Sequence, residues 1–378
     1  MNATGTALQG KHTAEASELY MAFELGEKSW KLALGDGVRS PSRYTVATGD
    51  TTALLECIAK AKARCGLAPG ARVVSCYEAG RDGFWLHRWL LAQGIENIVV
   101  DSASIEVNRR ARRAKTDRLD ADKLLAMLLR YAGGERRVWS VVRVPTPEEE
   151  DARRAHRELG RLGHERIAHI NRIRALLVLN NLRVTYVGGR LWQRWWTGHA
   201  QELAPGVRAE IERESERLVL VKQQMDTIEA AQREAVAAGR EAQVARLAQL
   251  RGIGMSSGWV LAKELFGWRH FRNRREVAGC LGLTPSPYAS GESETEQGIS
   301  KAGNRRARTL MVELAWSWLR YQPQSELSQW FNRRFAGGGK RLRRIGIVAL
   351  ARRLAIALWR YLEHGLIPDG AQLKAIGA

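Results

Sequence analysis

Lys115-Thr-Asp117-Arg-Leu-Asp120-Ala-Asp122-Lys123-Leu-Leu-Ala-Met-Leu-Leu-Arg-Tyr131 presents carboxylates at the opening of an apolar-periodic run. Good helix formers follow the acids at helical spacing, so the segment reads as an amphipathic helix. Residues three apart share a helix face, which sets Asp117 beside Asp120. Two like charges so close call for a cation between them, from a basic partner or a divalent metal. The alternative is an acidic first turn that simply complements the helix dipole.

Upstream, Leu19-Tyr-Met-Ala-Phe-Glu-Leu25 favours a strand, Gly26-Glu27-Lys28 a turn, and Trp30-Lys-Leu-Ala-Leu34 the second strand of a hairpin. Arg43–Ala47 reads as a shorter third strand, 50–64 as a helix, and Arg72-Val-Val-Ser-Cys-Tyr-Glu78 as a buried-type strand. Phe84 to Gln93 is helical up to Gly94, and Ile98–Val100 is strand again. Three antiparallel strands followed by alternating helices and strands make an α/β fold with a mixed sheet. Glu24 then lies in the first strand and Glu78 at the carboxyl end of a central one, where open α/β sheets gather ligands. With Asp117 and Asp120 they form a four-carboxylate set. Such a set suits two divalent metals about 3.5–4 Å apart, the arrangement used for in-line phosphoryl transfer. Mg²⁺, hard and oxygen-preferring, is the natural occupant.

The 378 residues carry 60 Lys and Arg against 40 Asp and Glu, a formal charge of +20. That excess argues for a polyanionic partner, because phosphate neutralisation drives nucleic-acid binding. No window reaches a membrane span, since Arg352, Arg353 and Arg360 break the apolar stretch 345–362. Residues 1–17 read as a disordered lead-in without the apolar core of a signal peptide. Cys57, Cys65, Cys76 and Cys280 have neither metal-ligand spacing nor a disulfide framework, and read as reduced residues. The expectation is a cytoplasmic, nucleoid-associated protein with no membrane partner.

Glu24, Tyr77-Glu78-Ala79-Gly80 and Lys115-Thr-Asp117-Arg-Leu-Asp120-Ala121 together resemble the RuvC-like (RNase H fold) domain of the DEDD insertion-sequence transposases of the IS-one-ten family. The family's first acid is normally Asp. Glu24 is longer by one methylene, about 1.5 Å, enough to change the pitch or denticity of that ligand.

Gly and Pro in 132–146 mark a boundary, and Thr146-Pro147-Glu-Glu-Glu150 is a strong helix start. A helix is expected from there to about Leu182 and a second from about Val207 to Leu250. Leu218, Val221, Met225 and Ile228 fit either a short coiled-coil or dimerisation arm or plain intramolecular packing. Between them, Trp192, Trp195 and Trp196 beside Arg190 and Arg194 suit either stacking on unpaired bases or a packed hairpin tip. The expected organisation is therefore 1–17 lead-in, 18–135 RuvC-like domain, 147–249 helical connector and 250–365 mainly α C-terminal domain.

That last domain opens with Gly252-Ile-Gly254 before a helix, a turn similar to a helix-hairpin-helix element. A helix over 271–282, an acidic loop to Glu296 and a basic loop at Gly337–Arg344 are expected. From Lys301 to Arg360 there are fourteen Lys or Arg against Glu313 and Glu326. Lys301, Arg305, Arg306, Arg308, Arg341, Arg343 and Arg344 are the candidate phosphate contacts.

Gly282-Leu-Thr-Pro285, Ser290-Gly291 and Ile299-Ser-Lys301-Ala-Gly303-Asn304 resemble the C-terminal domain of the same transposases, and the resemblance spans roughly residues 19–365. It implies that Ser290 is the nucleophile, with Ser286, Ser293 and Ser300 as fallbacks. By residue type alone Ser290 reads as a turn serine, and only the matched motif points to catalysis. A serine ester to DNA conserves the energy of the phosphodiester, so strands can be exchanged and resealed without ATP. No His lies close in sequence to activate the hydroxyl; the carboxylates of the first domain would serve if the two domains meet. The resemblance further implies donor and target DNA, a structured guide RNA and a homo-oligomer, dimer or tetramer. Two other readings remain: a RuvC-like nuclease that hydrolyses DNA with water, and a nucleic-acid-binding protein whose Glu24 marks a decayed metal site.

Overall fold

The strand pattern around Leu19–Leu25 closes into a five-stranded mixed sheet in the computed structural model, which describes residues 18–105, 117–290 and 293–374. The chain divides into two units, Met1–Val144 and Pro145–Ala378. In the first, β1 (Glu18–Leu25), β2 (Ser29–Gly35) and β3 (Ser42–Ala47) form an antiparallel meander. Helix α1 (Thr51–Cys65) leads to β4 (Arg72–Glu78), parallel to β1. Helix α2 (Trp85–Ala92) then leads to β5 (Glu96–Val100), parallel to β4. The order is β3-β2-β1-β4-β5, and α3 (Asp117–Ala132) follows. The mixed α/β sheet expected from the sequence is present.

Alternation along β1 sends Leu19, Met21 and Phe23 into one core with residues of α1 and α2, and Ala22 into a second core under α3. Helix α3 buries Ala121, Leu124, Leu125 and Leu128, an i, i+3, i+4, i+7 stripe, against Ala22, Ala33, Val74 and Cys76. The small side chains Ala22, Ala33 and Ala121 let helix and sheet approach closely. The three leucines contribute about 2 kcal/mol each by burial. The start of α3 is fixed sideways as well: Arg43 Nε on β3 donates to both Asp122 oxygens, at 2.9 and 3.0 Å.

The second unit opens with α4 (Pro147–Asp151) and α5 (Arg154–Leu179), then α6 (Arg190–His199), α7 (Pro205–Ala237) and α8 (Ala242–Gln249). Both long helices expected here are interrupted. Thr146 and Glu149 make a full capping box, but the helix stops at Asp151. There Arg153 turns inward, its Nε donating to the Glu149 carbonyl and its guanidinium lying 4.8 Å from the Trp268 ring centroid. After Ala237 the chain turns at Gly239 (φ +74°).

The pairs His169–Glu214 (2.6 Å) and Arg172–Glu210 (2.7 Å) run in opposite senses, so α5 and α7 pack antiparallel. Ile173, Leu177, Ile211 and Leu218 lie between them. Trp192 is buried in the same cluster, with Trp195 and Trp196 stacked on it at 5.5 and 5.4 Å. These indoles build the packed hairpin tip.

Next come α9 (Met255–Leu261) with a π turn at Ala262–Phe266, α10 (Arg274–Cys280), strands β6 (Pro285–Ser290) and β7 (Ser293–Ile299), α11 (Arg305–Tyr321), α12 (Glu326–Phe331) with a second π turn, and α13 (Lys340–His364). Met311, Leu314 and Trp318 of α11 meet Leu350, Leu354 and Leu358 of α13 in the main core of the unit.

Two loop expectations are corrected. The acidic stretch up to Glu296 is strand, because it pairs with β6. Arg341, Arg343 and Arg344 belong to the first turns of α13, exposed but helical, because the helix starts directly after Gly339. No described helix is long and apolar enough to cross a membrane. None of the four cysteines, all of them among the described residues, is in a disulfide, and three are buried. The expected lead-in 1–17 and the basic run Arg109–Lys115 lie outside the described residues.

Candidate active site

Glu24 and Glu78 come from adjacent parallel strands in equal register. The β1–β4 ladder pairs Met21 with Ser75, Ala22 with Cys76 and Phe23 with Tyr77, so the next position on each strand is a glutamate. Neighbouring strands lie about 4.8 Å apart, and equal register with period-two alternation puts both side chains on one face. It is the face of Ala22 and Cys76, the one α3 covers. Asp120, just before the buried Ala121, brings a third carboxylate to it from the helix.

Glu24, Glu78 and Asp120 line a single cleft of about 620 Å³ at the carboxyl ends of β1 and β4. Glu27 and Asp82 add two acids that the strand reading did not single out, against Arg81 and Lys123. Arg81 reaches Glu27 at 3.5 Å. Ser102 closes one side, its Oγ donating to the Ala79 carbonyl at 2.9 Å. Among the described residues five carboxylates line the cleft against two cations, in a chain of charge +20, a local reversal of sign that favours a cation.

The three predicted acids offer only oxygen, which fits a hard ion such as Mg²⁺. Among the described residues no group of three His, Cys, Asp or Glu is drawn together tightly enough to hold an ion. Asp117 is the first residue of α3, one turn before Asp120, and its side chain lies outside the described residues.

Ser290 ends β6 and pairs with Ser293 at the closed end of the β6–β7 hairpin. Its side chain, like those of Ser286 and Ser293, lies outside the described residues, as does Gly291. The base of the hairpin is fully described, and there Ser300 Oγ accepts from Thr284 Oγ1 at 3.3 Å. The Gly282–Pro285 and Ile299–Asn304 segments cross by backbone contacts: Ser300 N to Thr284 O, Lys301 N to Gly282 O and Asn304 N to Cys280 O, at 2.9, 3.1 and 2.8 Å. Gly282 (φ +62°) and Gly303 (φ +100°) are required, because an added Cβ would fall 2.0 Å from the Ala302 carbonyl oxygen and 2.3 Å from that of Cys280. Between them Lys301 is itself left-handed, at φ +57°.

Beneath this crossing lies a buried carboxylate that sequence reasoning missed. Glu264, 1% exposed, accepts from Arg157 Nε at 2.7 Å and Nη2 at 3.0 Å, and from Asn304 Nδ2 at 3.1 Å. His156 Nε2 lies 2.8 Å from the same carboxylate. Burial pushes the Glu264 carboxyl up, but the hydrogen bonds from His156, Arg157 and Asn304 overcome it and hold the group well below the usual carboxylate range. Asn304 also caps α11 through Ala307 N, so one side chain joins the hub to the hairpin base. The signal available in the sequence was an acid inside the apolar run Trp259–Phe266.

The candidate phosphate contacts divide by structural duty. Lys301 and Arg305 are exposed beside the hairpin base, and Arg341, Arg343 and Arg344 along the start of α13. Arg308 is committed to the fold, its Nη1 donating to the Leu281 and Lys301 carbonyls at 3.0 Å each. Arg306 is half engaged, with Nε 3.9 Å from Glu264.

Residues 244–329, which include Glu264, both crossing segments and Ser290, match the model of the transposase IS116/IS110/IS902 family. A putative transposase of Sinorhizobium fredii, y4rJ, is 41% identical over 377 residues, covering 94% of each chain. A second from the same organism, y4qE, is 33% identical over 253 residues, 67% of this chain and 60% of the relative. The transposase for insertion sequence element IS1328 of Yersinia enterocolitica is 26% identical over 226 residues, 59% of this chain and 66% of its own. With such identity along nearly its whole length, and with the family model matched across the hairpin, this chain belongs to the IS116/IS110/IS902 transposase family.

Proposed function

We propose that this transposase recombines DNA through a transient serine–DNA phosphoester. Ser290 is the nucleophile, Glu24, Glu78, Asp117 and Asp120 would draw together around Mg²⁺, at up to two sites, when it binds, and an RNA from the element guides target choice. The observation that carries the metal assignment is the gathering of Glu24, Glu78 and Asp120 from two strands and a helix onto one acidic cleft of a strongly basic chain. When bound, Mg²⁺ would neutralise charge on the phosphoryl oxygens.

The Ser290 hydroxyl forms a bond to phosphorus as the bond from phosphorus to the leaving deoxyribose oxygen breaks, and its proton passes to a base. The phosphoester keeps the energy of the broken linkage, so a second strand end can displace the serine and reseal. The glycine crossing and the Glu264 hub hold the base of the hairpin that carries this serine, which supports a precise placement of the hydroxyl. The charge of +20 supports DNA and RNA as partners, and assembly as a dimer or tetramer is what the family resemblance implies.

The test is adduct trapping on end-labelled, nicked element DNA with Mg²⁺ and the element's RNA. Label should stay with the protein through denaturing electrophoresis, and Ser290→Ala should abolish that band. Glu78→Gln and Asp120→Asn should each reduce it by at least the roughly hundredfold that loss of a metal's supporting residues costs. Cleavage that persists in Ser290→Ala with no adduct would assign a hydrolytic nuclease instead. Wild type as silent as Asp117→Asn, with RNA supplied, would leave only binding.

A further inference from the structure

The second unit holds a cavity of about 640 Å³ that neither the hairpin nor the Glu264 hub uses. Arg274 of α10 and Arg353 and Arg360 of α13 face it, and Ile356, Ile367 and Pro368 supply an apolar wall. Among the described residues neither the Arg274 nor the Arg360 side chain has a hydrogen-bond or ion-pair partner. Arg353 sits over the Trp330 ring, its guanidinium carbon 4.1 Å from the ring centroid. Two acids also line the space: Glu326 is taken by Arg333 at 2.6 Å, which leaves Asp369 against three arginines.

The far wall is built rather than incidental. Gly365 (φ +73°) ends α13, and the chain then returns over the cavity. It is pinned by Glu326 N to Asp369 O at 2.9 Å and Ala371 N to Pro368 O at 2.8 Å. Gly370 (φ +69°) is pressed so close to Gln324 that a Cβ would fall 2.8 Å from its carbonyl oxygen. That return leaves Ile367 46% exposed at the rim, an apolar side chain beside free guanidiniums.

We propose that this cavity binds an unpaired nucleotide of a nucleic-acid strand, with its phosphate on Arg274 and Arg360 and its base against Ile356, Ile367 and the Arg353 guanidinium. A phosphate alone needs no apolar wall, and an apolar ligand needs no arginines. The combination fits a group that is anionic at one end and flat and weakly polar at the other. A duplex keeps its bases inside and offers a concave pocket only phosphates. A single strand can place a base within it. The assignment is independent of Ser290 and of Mg²⁺.

The test is fluorescence anisotropy with the full-length protein in EDTA, so that it stands whether or not the recombination chemistry does. The probes are a short labelled oligothymidylate and its duplex with oligodeoxyadenylate. Arg274→Ala/Arg360→Ala should weaken the single strand about tenfold or more and flatten its salt slope by about 0.7 per lost contact, while duplex affinity changes far less. Ile367→Ser, which leaves the charge alone, should weaken the single strand only. Arg213→Ala/Arg233→Ala on α7 removes the same charge from exposed positions outside the cavity, and should spare the single strand. Equal losses for the two double variants, or equal losses on single strand and duplex, would overturn the proposal. So would affinity for thymidine monophosphate equal to that for the strand, which would assign the cavity to a free nucleotide.

Discussion

Glu264 stays ionised at 1% exposure because donors from Arg157 and Asn304 and the imidazole of His156 converge on it. In Glu264→Gln one accepting oxygen becomes an NH2 group that faces the donors of Arg157 or Asn304, and the charge that pairs with Arg157 is lost. Glu264→Gln should therefore destabilise the second unit by about 3 kcal/mol, read as a fall in thermal midpoint, since breaking a buried pair costs more than the pair contributes. The pH dependence has a fixed sign. The folded-state pKa is depressed, so the stabilisation is fully present above the unfolded carboxylate value of about 4.3 and is lost as pH falls through the folded value. Wild type and Glu264→Gln should differ most near neutrality, with midpoints converging below about pH 4. A constant gap between them down to strong acid would show that the carboxylate is not what holds the hub. Glu264 was hidden because a lone acid in an apolar run does not name its partners, two of which lie more than a hundred residues upstream and one forty downstream. Glu24 and Glu78 were easier to place, because strand alternation alone fixes which face each takes.

At the scale of elements, the β6–β7 hairpin shows how a motif can be read without its shape. Ser293-Glu-Thr-Glu-Gln297 has too little apolar content to read as a strand. It becomes one because Gly282 and Gly303 let the two ends of the segment cross at van der Waals limits. Gly339 misled in the opposite direction: three consecutive glycines suggest a loop, yet the last is the cap from which α13 begins. Both outcomes depend on contacts with distant chain, which local composition does not carry. Gly303→Ala tests the crossing. The left-handed backbone alone costs about 1–3 kcal/mol in a residue with a Cβ, and the clash with the Cys280 carbonyl adds to it. The variant should lose strand transfer while the first unit keeps its stability, with hydrogen exchange faster at Lys301 and Asn304 and unchanged along β1 and β4. Full activity in this variant would mean that the hairpin base has no part in placing Ser290.

Across the whole molecule charge is distributed unevenly. Pro145–Ala378 has 38 Lys and Arg against 24 acids, and Met1–Val144 has 22 against 16, with five of those sixteen acids lining one cleft. The basic excess was plain from composition. The cleft required the sheet, because its acids lie in five places between Glu24 and Asp120 and share nothing but the carboxyl edge and the helix that covers it. If Mg²⁺ fills the cleft as proposed, the two features set opposing demands on it. Free divalent cation competes with lysine and arginine for DNA phosphates, so it weakens binding to the basic surfaces, as monovalent salt does. A protein that neutralises six to ten phosphates loses about a thousandfold or more in affinity between roughly 50 and 200 mM salt. Activity should therefore rise with Mg²⁺ as the acidic cleft fills and fall again as DNA is released. Raising monovalent salt should reproduce only the falling limb. Asp120→Asn should remove the rising limb without weakening DNA binding in EDTA, because a carboxylate makes no favourable contact with phosphate in the absence of metal. Activity that climbs to a plateau and holds there at high Mg²⁺ would mean that DNA is retained by something other than its phosphates.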